Sequence, residues 1–437
     1  MKERSFIKDI VKKAGTKATI CGFVVRKRDV GDIKFLLVKD KTGVAQVTLA
    51  NAKKNKEMES IFGTLGQHDF ICVKGEVPEK ILAKVDIEIV PEEIKILGRS
   101  ERPLPLDMSG RFQSELETRL NWRAISLRDP KASAIIKVES SLVEGFVKFL
   151  SENRFTFTFT PCLMGSPSES GAEVFPVVYF EKTAYLRQDP QLHRQLLILS
   201  GFDRIYEIGP SWRAELSHTT RHLCEHRNCA VEIAFIDDET EVMEWEERLI
   251  RSALEYTKKN SEEELELLGQ DIELPSSRFP ELRFPEVYDL LRELGHEIPY
   301  GEDLNQEAEV ALGKYVKEKY RSDFFFVNRF PSKIKPFYVM RVDEEPEFAR
   351  SIDLIYRGVE ISSGGQREHR YEKIIEQAKE KKMNLQNLEW FTKFFKYGAP
   401  PHGGFSIGIE RLTKQALGIP NILEAVAFPR TPERMVP

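Results

Sequence analysis

Between Lys17 and about Leu97 the chain alternates apolar and polar positions in short runs: ATICGFVVRKR, IKFLLVKD, VAQVTLA, FICVKGEV and VDIEIVPEEIKIL. Turn-like Gly, Asp and Lys stretches separate them, and period-two alternation of this length predicts strands. Five such runs, with one helical piece near Asn55–Phe62, predict a small barrel. A Pro-rich, non-periodic stretch, RSERPLPLDMSGR, follows from Arg99 to Arg111 and reads as a linker. The periodicity then changes. Ile135, Val138, Leu142, Phe146 and Phe149 recur at helical spacing, predicting a helix over Lys131–Asn153 before the alternating run RFTFTFTPCL. From Asp237 to Leu268 the chain is acidic and helical, which predicts a surface helical pair. The remainder mixes strands with short helices and closes on IGIERLTKQALG, a strand passing into a helix. These patterns predict an α+β protein in three stretches: a barrel over residues 1–98, a hinge or linker over 99–125, and a larger unit over 126–437.

Composition narrows the class. At 437 residues, with 41% hydrophobic and 31% charged positions, the chain is globular, and wholesale disorder is excluded. No apolar run approaches the roughly 18 to 20 residues of a membrane helix, and the start MKERSFIKDIVKK lacks a signal peptide's apolar core. A cytoplasmic protein is expected. Its net charge of −5, from 65 basic and 70 acidic residues, leaves nucleic-acid binding to local patches. Cys21, Cys72, Cys162, Cys224 and Cys229 are odd in number and mostly set in apolar surroundings, so they read as free thiols without disulfides. Five strands and one helix fit the OB architecture, whose exposed face commonly takes single-stranded nucleic acid. Arg26, Lys27, Arg28, Lys34 and Lys39 cluster on the early strands with Phe23 and Phe35 interleaved, a pattern that fits a nucleic-acid-binding face and, equally, core phenylalanines beside a solvated charged edge.

Three segments of the larger unit concentrate charge where strands should lie. IYEIGPSWRAELSHTTRHL carries Arg213, Glu215, Arg221 and His222 around a hairpin loop. SIDLIYRGVEISSGGQREH carries Asp353 and Glu360 around a Gly358 turn, with Ser363, Arg367 and His369 beyond. PPHGGFSIGIERL brings Arg411 to the start of a helix. Arginine suits phosphate through its permanent charge and paired donors, and carboxylates suit Mg²⁺, a cation that prefers oxygen. No P-loop, kinase or dinucleotide signature is present, so a nucleotide would be held by side chains. His222, Cys224, His226 and Cys229 could be drawn as a zinc set, but alternating ligands on an extended strand point to opposite faces, and no zinc is expected.

Together these segments resemble a class II aminoacyl-tRNA synthetase, most closely the aspartyl enzymes of archaeal and eukaryotic type, over essentially the whole chain. The resemblance implies an N-terminal five-stranded anticodon-binding OB barrel and an antiparallel-sheet catalytic domain flanked by helices. It also implies a homodimer, with Pro161 in its interface. WRAELSHTTRHL is similar to the second class motif, giving Arg213 the α-phosphate and the amino acid carboxylate, and Glu215, Arg221 and His222 the rest of ATP. GIERL is similar to the third, giving Arg411 the γ-phosphate. VEISSGGQREH implies Mg²⁺ at Glu360 and Ser363 with Asp353 in support, and the substrate carboxylate at Arg367. In the barrel, RKRDVGDIKFLLVKDKTGVAQV resembles the anticodon-reading face, implying Arg28, Phe35 and Gln46 as its contacts.

The resemblance also marks departures. SESGAEVFP keeps Glu169 for the substrate amino group, but the family's usual Ser-Pro-Gln, aromatic and lysine appear as Asp189, Pro190, Gln191, His193 and Arg194. Ala230 stands where the family usually has an aspartate. Glu169, Gln191, Arg194, Ala230 and Arg367, with Arg213, therefore outline an amino acid pocket of altered charge and volume. The expected activity is ATP-dependent ligation of aspartate, or an analogue, to tRNA-Asp, with tRNA-Asn as a second candidate acceptor. The alternatives are a relative that passes a different amino acid to another acceptor, and a non-catalytic RNA-binding relative.

Overall fold

The computed structural model describes residues 4–50, 55–80, 85–108, 114–165, 174–216 and 219–437. They fall into two units, 1–113 and 114–437. In the first, β1 (Lys17–Val30), β2 (Ile33–Lys39), β3 (Val44–Leu49), α1 (Lys56–Thr64), β4 (Phe70–Glu76) and β5 (Glu88–Gly98) form a closed barrel in the order β1-β2-β3-β5-β4. Alternation does what the sequence predicts: Leu36, Val38, Ala45 and Val47 turn inward, joined by Ile20, Ile71, Val73 and Ile89. Asn55 caps α1 by accepting from the Met58 amide, and Met58 and Phe62 on its inner face are buried. A Cβ at Gly22 would lie 2.2 Å from the Lys39 carbonyl, so the close crossing of β1 and β2 requires glycine.

Two expectations for this unit are corrected. Cys21 and Cys72 are joined in a disulfide: they lie directly opposite on β1 and β4, with Cα atoms 4.1 Å apart. Fifty-one positions separate them in sequence, and the pairing becomes visible only through the strand register. Lys34 does not belong to a basic outer face. It points inward and is held by Asp29 at 2.6 Å and Glu59 at 3.6 Å. Lys27 is likewise tied down, donating to the carbonyls of Gly63 and Leu65.

The second unit comprises α2 (Leu116–Asn121), α3 (Arg123–Ser126), α4 (Pro130–Glu152), β6 (Thr156–Phe157), β7 (Leu163–Met164), β8 (Pro176–Tyr179), β9 (Lys182–Leu186), α5 (Gln191–Leu199), β10 (Arg204–Trp212), β11 (Glu225–Ala234), α6 (Glu239–Asn260), α7 (Glu262–Leu268), β12 (Glu281–Arg283), α8 (Glu286–Glu293), α9 (Gln306–Tyr320), β13 (Phe324–Asn328), β14 (Ser351–Tyr356), β15 (Val359–Arg367), α10 (Tyr371–Glu380), α11 (Leu385–Thr392), β16 (His402–Gly408) and α12 (Ile409–Ala416). Its main sheet has eight strands in the order β12-β13-β14-β15-β16-β11-β10-β6. All the pairings are antiparallel except β12–β13 and β10–β6. A second sheet holds β7, β9 and β8.

The expected hinge over 99–125 is divided between the units. Arg99 and Arg102 reach back to the Asp69 carboxylate of the barrel, whereas Arg123 is buried and donates to the carbonyls of Glu424, Val426 and Ala427. Charge does the tying here, which hydrophobic periodicity does not register.

Asp129 caps α4 with Pro130 in its first turn, and the apolar stripe of α4 is buried against α6 and the sheet. The acidic α6 is therefore more than a surface helix, since Val242, Met243, Leu249, Ile250 and Leu254 pack beneath the sheet. The alternating run after α4 pairs with β10 over only two residues at the sheet edge. Phe157 and Phe159 stay exposed there.

Candidate active site

The antiparallel strands carry their charged side chains onto one cavity of about 410 Å³. β10 and β11 form a hairpin whose last pair is Trp212–Glu225, and Arg213, Glu215, Arg221 and His222 sit on the connection between them. β14 and β15 are joined by a two-residue turn in which Arg357 and Gly358 have φ of 50° and 71°, the left-handed pair that a tight hairpin needs. A bulge then shifts the β14–β15 register, so that Ile355 faces Glu360 while Leu354 faces Ser362. The extra residue, Ile361, lets Glu360 and Ser363 both line the cavity although they are three positions apart. From β16, Gly408 leads into α12, which buries Ile409, Leu412 and Ala416 and leaves Arg411 on the cavity wall.

At one end the groups suit a nucleotide. Arg411 donates to the Glu360 carbonyl at 3.1 Å, with its guanidinium 3.6 Å from that carboxylate. Arg221 is held by Glu309 of α9 at 3.0 Å, and burial, followed by the Glu360 charge, pushes Glu309 up to about 7. Arg213 lies 3.5 Å from Glu215, which also approaches His222. Burial lowers His222, and the Arg411 charge lowers it further. His226, which also lines the cavity, is pushed down to about 3 by burial and by Arg213 and Arg411, so it is a neutral ring at pH 7. Lys335 lines this end too, with its ammonium 3.2 Å from Asp353. Asp353 stands directly opposite Ser363 on the same face of the sheet and is buried. Sequence reasoning missed Glu309, Lys335 and His226 as site members, because Glu309 stands on a helix and Lys335 in a loop outside the three charged segments, and His226 reads there only as part of a zinc set.

The other end is built around Gln191, at the start of α5. Its Oε1 accepts from Arg194 at 2.8 Å and Arg367 at 3.2 Å, and its Nε2 donates to Glu232 at 2.9 Å. Arg367 is bound to Glu232 at 2.9 Å and to the Gly404 carbonyl at 3.0 Å. This crossing requires glycine at 404, where a Cβ would lie 2.0 Å from the Val231 carbonyl and 2.5 Å from Glu232 Oε2. Arg194, expected at the substrate, is not on the cavity wall: it lies behind Asp189 and Gln191, with its guanidinium 2.5 Å from Asp189 Oδ1. Ala230 is buried in the sheet opposite Ser406, a residue that does line the cavity. Glu169 lies outside the described residues.

In the barrel unit Arg28 pairs with Phe35 and Phe35 with Thr48, a row across three strands on the outer face. Phe35 is half-buried and Arg28 exposed. Gln46 lies on the same face, donating to Thr48 Oγ1 at 3.0 Å. Phe23 stacks on His68 with ring centroids 5.4 Å apart.

An antiparallel sheet bearing arginines and carboxylates around one cleft, preceded by an OB barrel, defines a nucleotide-dependent ligase that handles nucleic acid. Residues 115–432 match the family model for tRNA synthetases class II (D, K and N), and residues 18–97 match that for the OB-fold nucleic acid binding domain. The chain belongs to the class II tRNA synthetases of this group and is an aminoacyl-tRNA synthetase. It is 44% identical to the aspartate–tRNA(Asp) ligase of Thermococcus kodakarensis, over 97% of each chain. Similarity to the aspartate–tRNA(Asp/Asn) ligase of Aeropyrum pernix is 38% identity over all of both chains. Among solved structures, asparaginyl-tRNA synthetase from Pyrococcus horikoshii complexed with asparaginyl-adenylate superposes with a TM-score of 0.91 and 31% identity, covering both chains fully.

Proposed function

We propose that this chain ligates aspartate to tRNA through an aspartyl-adenylate, and that the cavity holds ATP at the Arg213–Arg411 end and the amino acid at the Arg367 end. The observation that carries this reading is the shared cavity: three sequence-distant segments deliver Arg213, Arg367 and Arg411 to one space of about 410 Å³. The amino acid carboxylate attacks the α-phosphate and pyrophosphate leaves; a ribose hydroxyl at the tRNA 3′ end then attacks the acyl carbon, losing its proton as the acyl–phosphate bond breaks and AMP leaves. Arg213 and Arg411 offset the charge that develops on phosphorus, which is positioning and electrostatics without a covalent nucleophile. Glu215, Arg221 and His222 bound the nucleotide, and His222, kept neutral, offers ring nitrogens to it rather than a further charge.

The donor set fits a divalent cation. Glu360 and Ser363 offer a carboxylate and a hydroxyl on the cavity wall, and Mg²⁺ commonly takes one or two protein oxygens and completes its shell with phosphate and water. When bound, it would neutralise phosphate charge. Asp353, opposite Ser363 and engaged with Lys335, supports this wall. Arg28, Phe35 and Gln46 on the barrel face are proposed to read the anticodon, Phe35 by stacking. The relatives named for both tRNA-Asp and tRNA-Asn favour a second reading in which tRNA-Asn is also charged.

A homodimer is part of this proposal. Phe157 and Phe159, in ring contact with each other, and Val178, Tyr179 and Phe180 leave exposed apolar side chains on the second unit that a partner copy could cover. Light scattering should give twice 50.4 kDa at micromolar concentration. Pyrophosphate exchange across the standard amino acids, followed by charging of purified tRNA-Asp and tRNA-Asn, tests the function. Exchange with aspartate and charging of at least tRNA-Asp are expected; exchange with another amino acid alone would overturn the aspartate reading.

A further inference from the structure

Glu309 stands on α9, outside the three charged segments, yet it lines the nucleotide end of the cavity with a side chain only 9% exposed. The packing of α9 places it there. Asn305 caps the helix by accepting from the Ala308 amide, and Ala308, Ala311, Leu312 and Val316 are buried in a core with Phe325 and Ile355 of the sheet. Two glycines then seat α9 on the turn between β14 and β15. A Cβ at Gly313 would lie 2.8 Å from the Gly358 amide nitrogen, and one at Gly358 would lie 2.9 Å from the Val310 Cα. Helix and hairpin are thus in backbone contact, which fixes Glu309 relative to Glu360 on the strand leaving that turn.

One oxygen of Glu309, Oε2, accepts from two of the segments that build this end. Arg221, on the β10–β11 connection, donates from Nη1 at 3.0 Å, and the Glu360 amide of β15 donates at 3.4 Å. The Glu360 carbonyl accepts in turn from Arg411 of α12. Arg221 lies beyond the last β10–β11 pair, Trp212–Glu225, so the strand ladder gives it no fixed direction. Among the described residues no other side-chain hydrogen bond holds it, and its Nε is buried without a partner. A long side chain on such a connection loses rotamer freedom when a ligand orders it, and that loss weakens binding. Glu309 orders Arg221 beforehand and leaves guanidinium donors for the ligand.

We propose that Glu309 is a positioning residue for ATP: it never touches the nucleotide, and by holding the Arg221 guanidinium it presents that cation to the phosphates in a fixed direction. The proposal rests on ATP occupying the Arg213–Arg411 end of the cavity, and adds to that placement a helix that carries none of the three charged segments. The contrary arrangement, in which Glu309 only neutralises Arg221 until phosphate displaces it, has the opposite sign in a binding experiment.

The test compares wild type, Glu309→Gln, Arg221→Ala and the double variant by pyrophosphate exchange and by calorimetric binding of ATP to the full-length protein. Glu309→Gln keeps the size of the side chain and an oxygen for the Glu360 amide. It should raise the KM for ATP about tenfold, the scale of a lost hydrogen bond between charged groups, and weaken ATP binding in parallel. The KM for the amino acid that supports exchange should change by less than about twofold. Arg221→Ala should weaken ATP at least as much, and in that background Glu309→Gln should add less than about twofold, because a residue that acts through Arg221 has nothing left to act on. Full additivity in the double variant, or an equal rise in both KM values, would overturn the proposal and leave Glu309 a structural carboxylate. Tighter ATP binding in Glu309→Gln would also overturn it, since Glu309 would then be competing with phosphate for Arg221. So would an unchanged KM for ATP in Arg221→Ala. Arg411→Ala then separates the two readings: lost exchange keeps ATP at this end while the role of Glu309 falls, and retained exchange means that the placement of ATP has failed with it.

Discussion

Glu246 of α6 lies beneath the sheet with no exposed surface, and neither carboxyl oxygen has hydrogen-bond geometry to a partner. Burial pushes its carboxyl from 4.5 up to about 8, with the nearby Ser362 hydroxyl opposing and the Asp353 charge reinforcing. The folded chain thus keeps a proton that the unfolded chain releases between these values. Stability from this group is fully present below the unfolded value and is lost as pH rises through the folded one. One proton corresponds to a slope of at most about 1.4 kcal/mol per pH unit, so between pH 6 and 8 the loss is about 2 to 3 kcal/mol. Glu246→Gln keeps the shape and removes the titration. Variant and wild type should therefore diverge with pH, the variant gaining about 2 to 3 kcal/mol relative to wild type over that window, or roughly 3 to 4 °C in melting temperature for a unit of this size. Paired thermal melts at each pH from 5 to 9 measure the difference directly, and groups common to both proteins cancel. A constant offset across that range would refute the reasoning, because it would mean that Glu246 is ionised in the folded protein or hydrated there.

The proposed site roles give two further tests. Arg411→Ala and Glu360→Ala should each lower pyrophosphate exchange about a hundredfold, near 3 kcal/mol for a lost charged contact in the transition state, with melting temperature little changed; near-wild-type exchange in either variant refutes its assignment. Phe35→Ala should weaken tRNA charging by the roughly 1 to 3 kcal/mol of a base stack while leaving exchange alone, and equal loss in both assays would point to a damaged barrel.

The sequence by itself determined the local structure and the chemistry on offer. Period-two runs gave the five barrel strands, helical spacing gave α4, and the segments around Arg213, Glu360 and Arg411 named the charged groups that line one cavity. These properties are legible because a strand or helix exposes its own period in the residues it buries, and because arginine and carboxylate carry their charge into any fold. The tertiary structure decided which group stands in front of which. Arg194 and Arg367 read alike as pocket cations, yet one faces the cavity and the other is screened by Asp189. Glu360 and Ser363 share a wall through a one-residue bulge, which only pairing with β14 reveals. Arg221 finds Glu309 at a separation of 88 residues, and Cys21 meets Cys72 across two strands. Such relations depend on register and on packing between elements distant in the chain. Local pattern fixes which face each residue takes, but not which distant partner the fold brings opposite it.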